Sequence, residues 1–423
     1  MTTSLHFDPE QHFTCSQCGH CCRRWEIVLT QREVDAYTEA GAGRWFHLGD
    51  RGEGDAEPFE RVRRTRWFRI RQRVDGACGF LSPENRCRIH EELGERRKPF
   101  TCRMFPHTLH ATTLGAVATT SFSCPTTLAN EGAALGTQSQ ALKGLAAEWS
   151  ALRGLKPSPV LLARRRAIPE VALPTLREVL RDMLDRPSPA ANAGGAPDLR
   201  QNVGRMARTL EDLSRYRVLR LEDERLAEYV ELTTRYAARS DAALSPRTPS
   251  PLVRLFARGF LFVVAATRLQ LENRVAAGLK LGLRLRLFRL LAHVHGLGPG
   301  LAGVDMAAVH AHPVDVADPR VQPIVHNYLR STVRTLGTGR RPIVDELGVA
   351  VALLNAACAL ASSRAARSGQ TVDQTIFGEA LMEAVDMTHA DAGGFVGRTL
   401  TMLAGGAEAL YLFEQGGPAP PKR

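Results

Sequence analysis

Residues 12–27 read HFTCSQCGHCCRRWEI, and the cysteines at positions 15, 18, 21 and 22 decide what kind of protein this is. Two thiols separated by two residues can be brought to one metal by a single turn, with the intervening N–H groups facing the sulfurs. Gly19 can take the positive φ that such a turn often uses. The adjacent pair is different. Successive side chains of an extended segment point apart, so either Cys21 or Cys22 is expected to serve a second site or to be no ligand.

Further along lie Cys78 and Cys87 in CGFLSPENRC, Cys102 in KPFTCRMFP and Cys124 in FSCP, so eight of the nine cysteines precede residue 125. In a small secreted domain that density would indicate disulfides. The start, MTTSLHFDPEQHF, has no basic n-region, apolar h-region or small-residue cleavage site. A reducing cytoplasm is therefore expected, where clustered thiols mean metal or redox chemistry. Cys15, Cys18, Cys21, Cys22, Cys78, Cys87, Cys102 and Cys124 are the candidate ligands. Four thiolates complete one zinc site or one iron–sulfur cubane, and eight could complete two. Thiolate-only ligation, the adjacent pair and an opening like that of the ferredoxin run C-x2-C-x2-C favour an iron–sulfur cluster, [4Fe–4S], over zinc. The x3 spacing to a fourth cysteine is absent, and Cys124-Pro125 supplies only a remote Cys-Pro. Cys358, inside LLNAACALA, reads as an inert core thiol.

The formal charge of +11 raises nucleic acid as a partner, and RVRRTRWFRIRQR (residues 61–73) holds seven arginines around Trp67 and Phe68. Arginine is abundant throughout the chain, however, and the segment alternates as a strand does. Phe68, Ile70 and Val74 would share one face and Arg69, Arg71 and Arg73 the other. A solvated strand face that could receive an acidic protein is thus preferred to nucleic-acid binding.

Composition changes near residue 130. Before it the chain is Cys-rich and turn-broken; after it helical periodicity dominates. Thr175 to Glu178 has the form of a capping box, and Leu176, Val179, Leu180, Met183 and Leu184 follow at helical spacing. Leu226, Tyr229, Val230, Thr233 and Ala237 repeat that spacing, and residues 274–295 read as a further helix rich in Leu, Arg and Ala. Residues 185–198 and 241–251 read as loops. The apolar runs 259–267 and 347–361 are shorter than the roughly 18–20 residues a bilayer requires, so no membrane span is expected. The fold expected is mainly α. A small metal-bound cysteine-rich module with short strands (1–130) precedes a larger helical domain (131–415) and a disordered tail (416–423). The module should depend on its metal to fold.

The stretches FTCSQCGHCC, ACGFL, NRCRIH and KPFTCRMFP resemble, in order, the YkgJ-type cysteine-cluster family, described as a zinc- or iron-chelating domain. Lys98 stands where that family usually has arginine, which keeps the charge but loses the planar fork. VQPIVHNYLRSTVRTL, then ELGVAVALLNAACALA, then TVDQTIFGEALMEAVDMT, is similar to the carboxy-terminal half of flagellin lysine N-methylases. That resemblance implies a protein lysine N-methyltransferase using S-adenosylmethionine on a lysine-bearing protein, with Tyr328 the only nominee for its base. The alternatives are a metal-binding module with no reaction of its own and an electron-transfer protein.

The pairs His293/His295 and His310/His312, with His326, read as loop or helix-end histidines with ordinary hydrogen bonds. GLGPGLAGVD (296–305) reads as a helix stop and turn, not a nucleotide loop. The chain has no Walker motif, no G-x-S-x-G and no H-E-x-x-H, so hydrolase and nucleotidase readings have no anchor.

Overall fold

The structure, a computed structural model, describes residues 4–48, 57–112, 115–153, 159–163, 166–187, 196–215, 223–239, 314–338 and 341–390. The 259–267 run, the 274–295 helix, the glycine-rich stretch, both H-x-H pairs, the 241–251 loop and the tail lie outside these residues. The chain divides into two compact units: Met1–Leu109 with Ala118–Leu155, and His110–Val117 with Lys156–Arg423. The compositional change near residue 130 falls within the first of them.

Unit 1 is built from short elements. Its first sheet has the order β2 (Val28–Leu29), β4 (Phe68–Ile70), β3 (Phe59–Arg61), all antiparallel, with Leu29 opposite Phe68 and Phe59 opposite Ile70. This sheet packs with α2 (Gln31–Glu39) around Ile27, Leu29, Tyr37, Phe59, Ile70, Phe80, Leu81 and Ile89. Thr30 and Glu33 cap α2 reciprocally, which fixes where that helix begins. A second core gathers Phe13, Leu109, Ala118, Cys124, Leu135 and Leu142 beside a sheet of order β1 (Leu5–Phe7), β6 (Gly115–Thr120), β5 (His107–Thr112).

The expected arginine strand is shorter than its alternation suggested. It ends at Ile70, Arg73 to Gly76 make a turn closed by Gly76 N–H to Arg73 O at 2.9 Å, and Val74 is 82% exposed. The Asp75-Gly76 turn signal overrides the strand pattern two residues too early for Val74 to reach the core. Nor is the arginine face unpaired. Arg69 bonds Glu60 and meets Glu26 at 2.8 Å, Arg71 lies 3.7 Å from Glu60, and Arg73 lies 2.7 Å from Asp75.

Unit 2 is helical in its larger elements. In α7 (Leu173–Leu184) the predicted stripe of Leu176, Val179, Leu180, Met183 and Leu184 is buried throughout. The capping box is not formed. The helix starts earlier, at Leu173, with Ala172 as N-cap and Pro174 in its first turn, where proline's fixed φ suits the helix and its missing N–H costs no intrahelical bond. Helices α8 (Leu199–Arg215) and α9 (Asp223–Arg239) follow, and α10 (Gln322–Thr335), α11 (Ile343–Ser368) and α12 (Gln374–Ala390) complete the described set. On α9, Val230 is buried and Tyr229 and Thr233 are half-buried. His326 on α10 donates to Asp185 at 2.6 Å, an ordinary side-chain hydrogen bond. Helix α11 spans 26 residues and packs on α12; it is the one described helix long and apolar enough to cross a membrane, and 78% of its most apolar window is buried within the protein.

Candidate metal centre

Three separate segments of unit 1 carry cysteines toward one another. The first is the opening loop, where Gln17 (φ 55°) and Gly19 (φ 71°) both take the left-handed conformation. Gly19 then caps a short helix, α1 (His20–Arg24), so Cys21 and Cys22 lie on one helical turn and not on extended chain. Their sulfurs are 4.0 Å apart. The expectation that adjacent side chains diverge therefore fails here, because it assumed the wrong backbone.

The second and third cysteines come from one hairpin. Cys78 N–H donates to Cys22 O at 2.7 Å, which ties the hairpin to α1. Ser82 N–H to Arg86 O at 2.8 Å closes its turn, with Asn85 left-handed, and Leu81 bridges to Cys87. Asn85 also accepts from Arg23 and touches Gly19, so the turn rests on the opening loop. Cys102 arrives on α4 (Phe100–Met104), held by Phe100 N–H to Glu33 Oε1 at 2.7 Å and by Thr101 Oγ1 to Val28 O at 2.5 Å. Arg97 and Lys98 just before it are fixed through their carbonyls, by Tyr37 at 2.6 Å and by Arg103 at 3.0 Å.

The outcome is a quartet. Cys21, Cys78, Cys87 and Cys102 all lie within electrostatic reach of one another, and Cys22, Cys78, Cys87 and Cys102 share the first core. The hydrogen bond that the Cys21 thiol donates to Cys22, then burial, raises Cys21 far above the ordinary range, with the Cys22 charge adding to it. Burial pushes Cys78 up to about 12, raises Cys87, and holds Cys102 well above the ordinary thiol value, with neighbouring thiolates adding to each. Lys98, half-buried, is the cation that recurs, facing Cys102, Cys87, Cys15 and Cys21. A group of thiols this crowded stays protonated until a larger positive charge enters, and a metal supplies one. Among the described residues, no three His, Cys, Asp or Glu donors are gathered closely enough to hold a single ion as they stand.

The remaining cysteines separate from this quartet. Cys124 is buried in the second core, where it caps α5 (Pro125–Ala129) and accepts from Thr127 and Thr126; burial raises its thiol. Cys15 and Cys18 are exposed on the opening loop. That loop reaches the Cys124 turn through Ser16 and Thr126, whose hydroxyls lie 3.0 Å apart. Cys358 lies on α11 in unit 2, half-buried, raised to about 11 by desolvation. Tyr328 is buried on α10 with its phenol held protonated by desolvation. No residue spacing in the sequence indicated which cysteines would converge; the tertiary folding of three segments does that.

Residues 14–125 match the model of the CxxCxxCC family, described as a "Putative zinc- or iron-chelating domain". The match spans all eight amino-terminal cysteines and supports metal binding by this module. No curated protein and no solved structure matches the chain. Similarity to flagellin lysine methylases is therefore not shown.

Proposed function

We propose that this module holds an iron–sulfur cluster, with Cys21, Cys78, Cys87 and Cys102 as its thiolate ligands. One observation carries this reading: Cys78, Cys87 and Cys102 pack into one core with Cys22, whose sulfur lies 4.0 Å from that of Cys21, so three segments of the chain bring these thiols together. The donor set fits the group. It is all sulfur, which suits zinc or iron–sulfur chemistry and disfavours hard cations. A single zinc with Zn–S of about 2.3 Å would need its sulfurs at about 3.8 Å from each other, whereas a cubane takes one thiolate at each of four separate irons.

A bound cluster would supply a reversible one-electron couple and a covalent crosslink between α1, the 78–87 hairpin and α4. The residues do the rest. Cys22 packs beside Cys21 and is its nearest substitute. Lys98 sets a positive charge against the thiolates, and Phe80, Ile89 and Phe59 wall the hairpin side with apolar surface that limits water. Cys15, Cys18 and Cys124 are available for a second centre.

The test is anaerobic purification of the full chain followed by iron, zinc and acid-labile sulfide analysis. Brown protein with iron and sulfide together supports the reading. Colourless protein with stoichiometric zinc leaves a metal module but removes the cluster.

A further inference from the structure

The opening loop presents Cys15, Ser16, Gln17 and Cys18 to solvent, in a module whose other cysteines are buried or half-buried. Its position is fixed at both ends. On the near side Phe13 N–H donates to Ala133 O at 2.9 Å, Ala133 N–H to Thr14 Oγ1 at 3.0 Å and Gln138 Nε2 to Phe13 O at 2.7 Å. A Cβ on Gly132 would stand 2.4 Å from Thr14 N, so these two segments run in close contact. On the far side Gly19 is buried against Asn85 of the 78–87 hairpin, with 3.0 Å between a built Cβ and Asn85 Oδ1. Between the ends, Gln17 takes the left-handed conformation that glycine adopts freely and glutamine resists.

The loop thus holds a C-x2-C pair in water beside a more enclosed centre. Cys18 is followed by Gly19, His20 and then Cys21, and Lys98 faces Cys15 as well as Cys102, Cys87 and Cys21. The quartet itself is walled. Cys78 is 7% exposed, and Phe80 and Ile89 are buried in the same core. A metal centre needs an entry path, and thiols in apolar surroundings are slow to react. Two thiolates in the open are the complement: they take a soft ion but leave its remaining positions to water or to an incoming ligand, so the ion is held without being locked. Cys124 is not part of this exposed pair, since it is buried in the second core and its sulfur accepts from Thr127 and Thr126.

We propose that Cys15 and Cys18 are a receiving site for thiophilic metal ions, which they capture from solution and pass to the quartet. The inference rests on the quartet being the metal centre and not on which metal it holds. Each thiol releases its proton as it takes the ion, and Cys15 and Cys18 take protons back as they give it up. The pair is a kinetic device. Its loss slows the arrival and departure of metal and leaves occupancy at equilibrium unchanged.

The experiment is isotope exchange on the full chain loaded with zinc: the protein is mixed anaerobically with isotopically enriched zinc, desalted at intervals and read by isotope-ratio mass spectrometry. Cys15→Ser/Cys18→Ser is expected to hold as much zinc as wild type and to exchange it about tenfold more slowly, because the accessible thiolates are gone. Brief iodoacetamide treatment of the zinc-loaded wild type makes the same test without substitution. Peptide mapping should find Cys15 and Cys18 alkylated first, and exchange should slow likewise. Unchanged exchange in either preparation overturns the proposal, and so does loss of zinc from Cys15→Ser/Cys18→Ser, which would make the pair ligands of the centre. Cys78→Ser/Cys87→Ser separates the two readings. Zinc retained without those cysteines removes the quartet itself, whereas zinc lost there, with exchange unchanged in Cys15→Ser/Cys18→Ser, removes only the receiving site.

Discussion

Gly79 sits between Cys78 and Phe80, and Gly79→Ala is the most informative single change in the metal module. A Cβ built there would stand 2.1 Å from Phe46 Cε2, closer by more than an ångström than ordinary van der Waals contact. Neither side can yield easily. Phe46 is packed edge-on against Phe80, with ring centres 5.2 Å apart. The backbone is held by Gly79 N–H to Arg71 O at 3.2 Å, His47 N–H to Gly79 O at 2.9 Å and Cys78 N–H to Cys22 O at 2.7 Å. Overpacking of a fixed site costs about 1–3 kcal/mol, and this site belongs at the upper end because the colliding atoms are an aromatic ring. The strain falls on Cys78, so metal retention should drop together with stability. Urea unfolding of the metal-loaded chain, with metal content measured on the same samples, reads both. Gly144→Ala is the control: it lies inside α6 (Ser139–Arg153) with nothing within 4 Å of the added atom. It should be stabilising by up to about 1 kcal/mol. Equal midpoints and equal metal content for wild type and Gly79→Ala would refute the packing argument.

Three further outcomes are expected. Lys98→Gln should lower metal affinity about tenfold in chelator competition while Lys98→Arg stays near wild type, because the charge facing Cys102, Cys87, Cys15 and Cys21 is what matters; equal losses in both variants would point to packing instead. His107 is depressed to about 4 by burial, so its neutral form is the one the fold accommodates. Its contribution is present above the unfolded value near 6.5 and lost as pH falls from there toward 4. An acid titration of stability that is unchanged in His107→Phe would count against this. Cys102→Ser should cost metal and solubility together, whereas Cys358→Ser should bind metal normally; identical behaviour of the two would mean the quartet is wrongly drawn.

Local features were legible in the sequence and convergent ones were not. The positive φ of Gly19 follows from the C-x2-C turn, and the buried stripe of α7 follows from its spacing, because each depends on residues a few positions apart. The capping box at Thr175 was misplaced by a competing local signal, Pro174, and the arginine strand was cut short by Asp75-Gly76. Whether Cys21 and Cys22 diverge depended on one backbone choice, helix or extended, that two residues cannot reveal. The separation of Cys124 from the quartet is a property of two distinct cores, and nothing in the spacing of FSCP distinguishes it from FTCR. The fate of the arginines was also non-local, since Glu26 reaches Arg69 across the sheet.

Native mass spectrometry of the anaerobically prepared full chain tests the central claim most directly, because it reads the composition of whatever the quartet holds. The added mass should be that of iron with sulfide, and it should vanish when Cys78 and Cys87 are both replaced by serine. A mass increment of zinc without sulfide, or an iron–sulfide increment that survives loss of those two cysteines, would contradict the account.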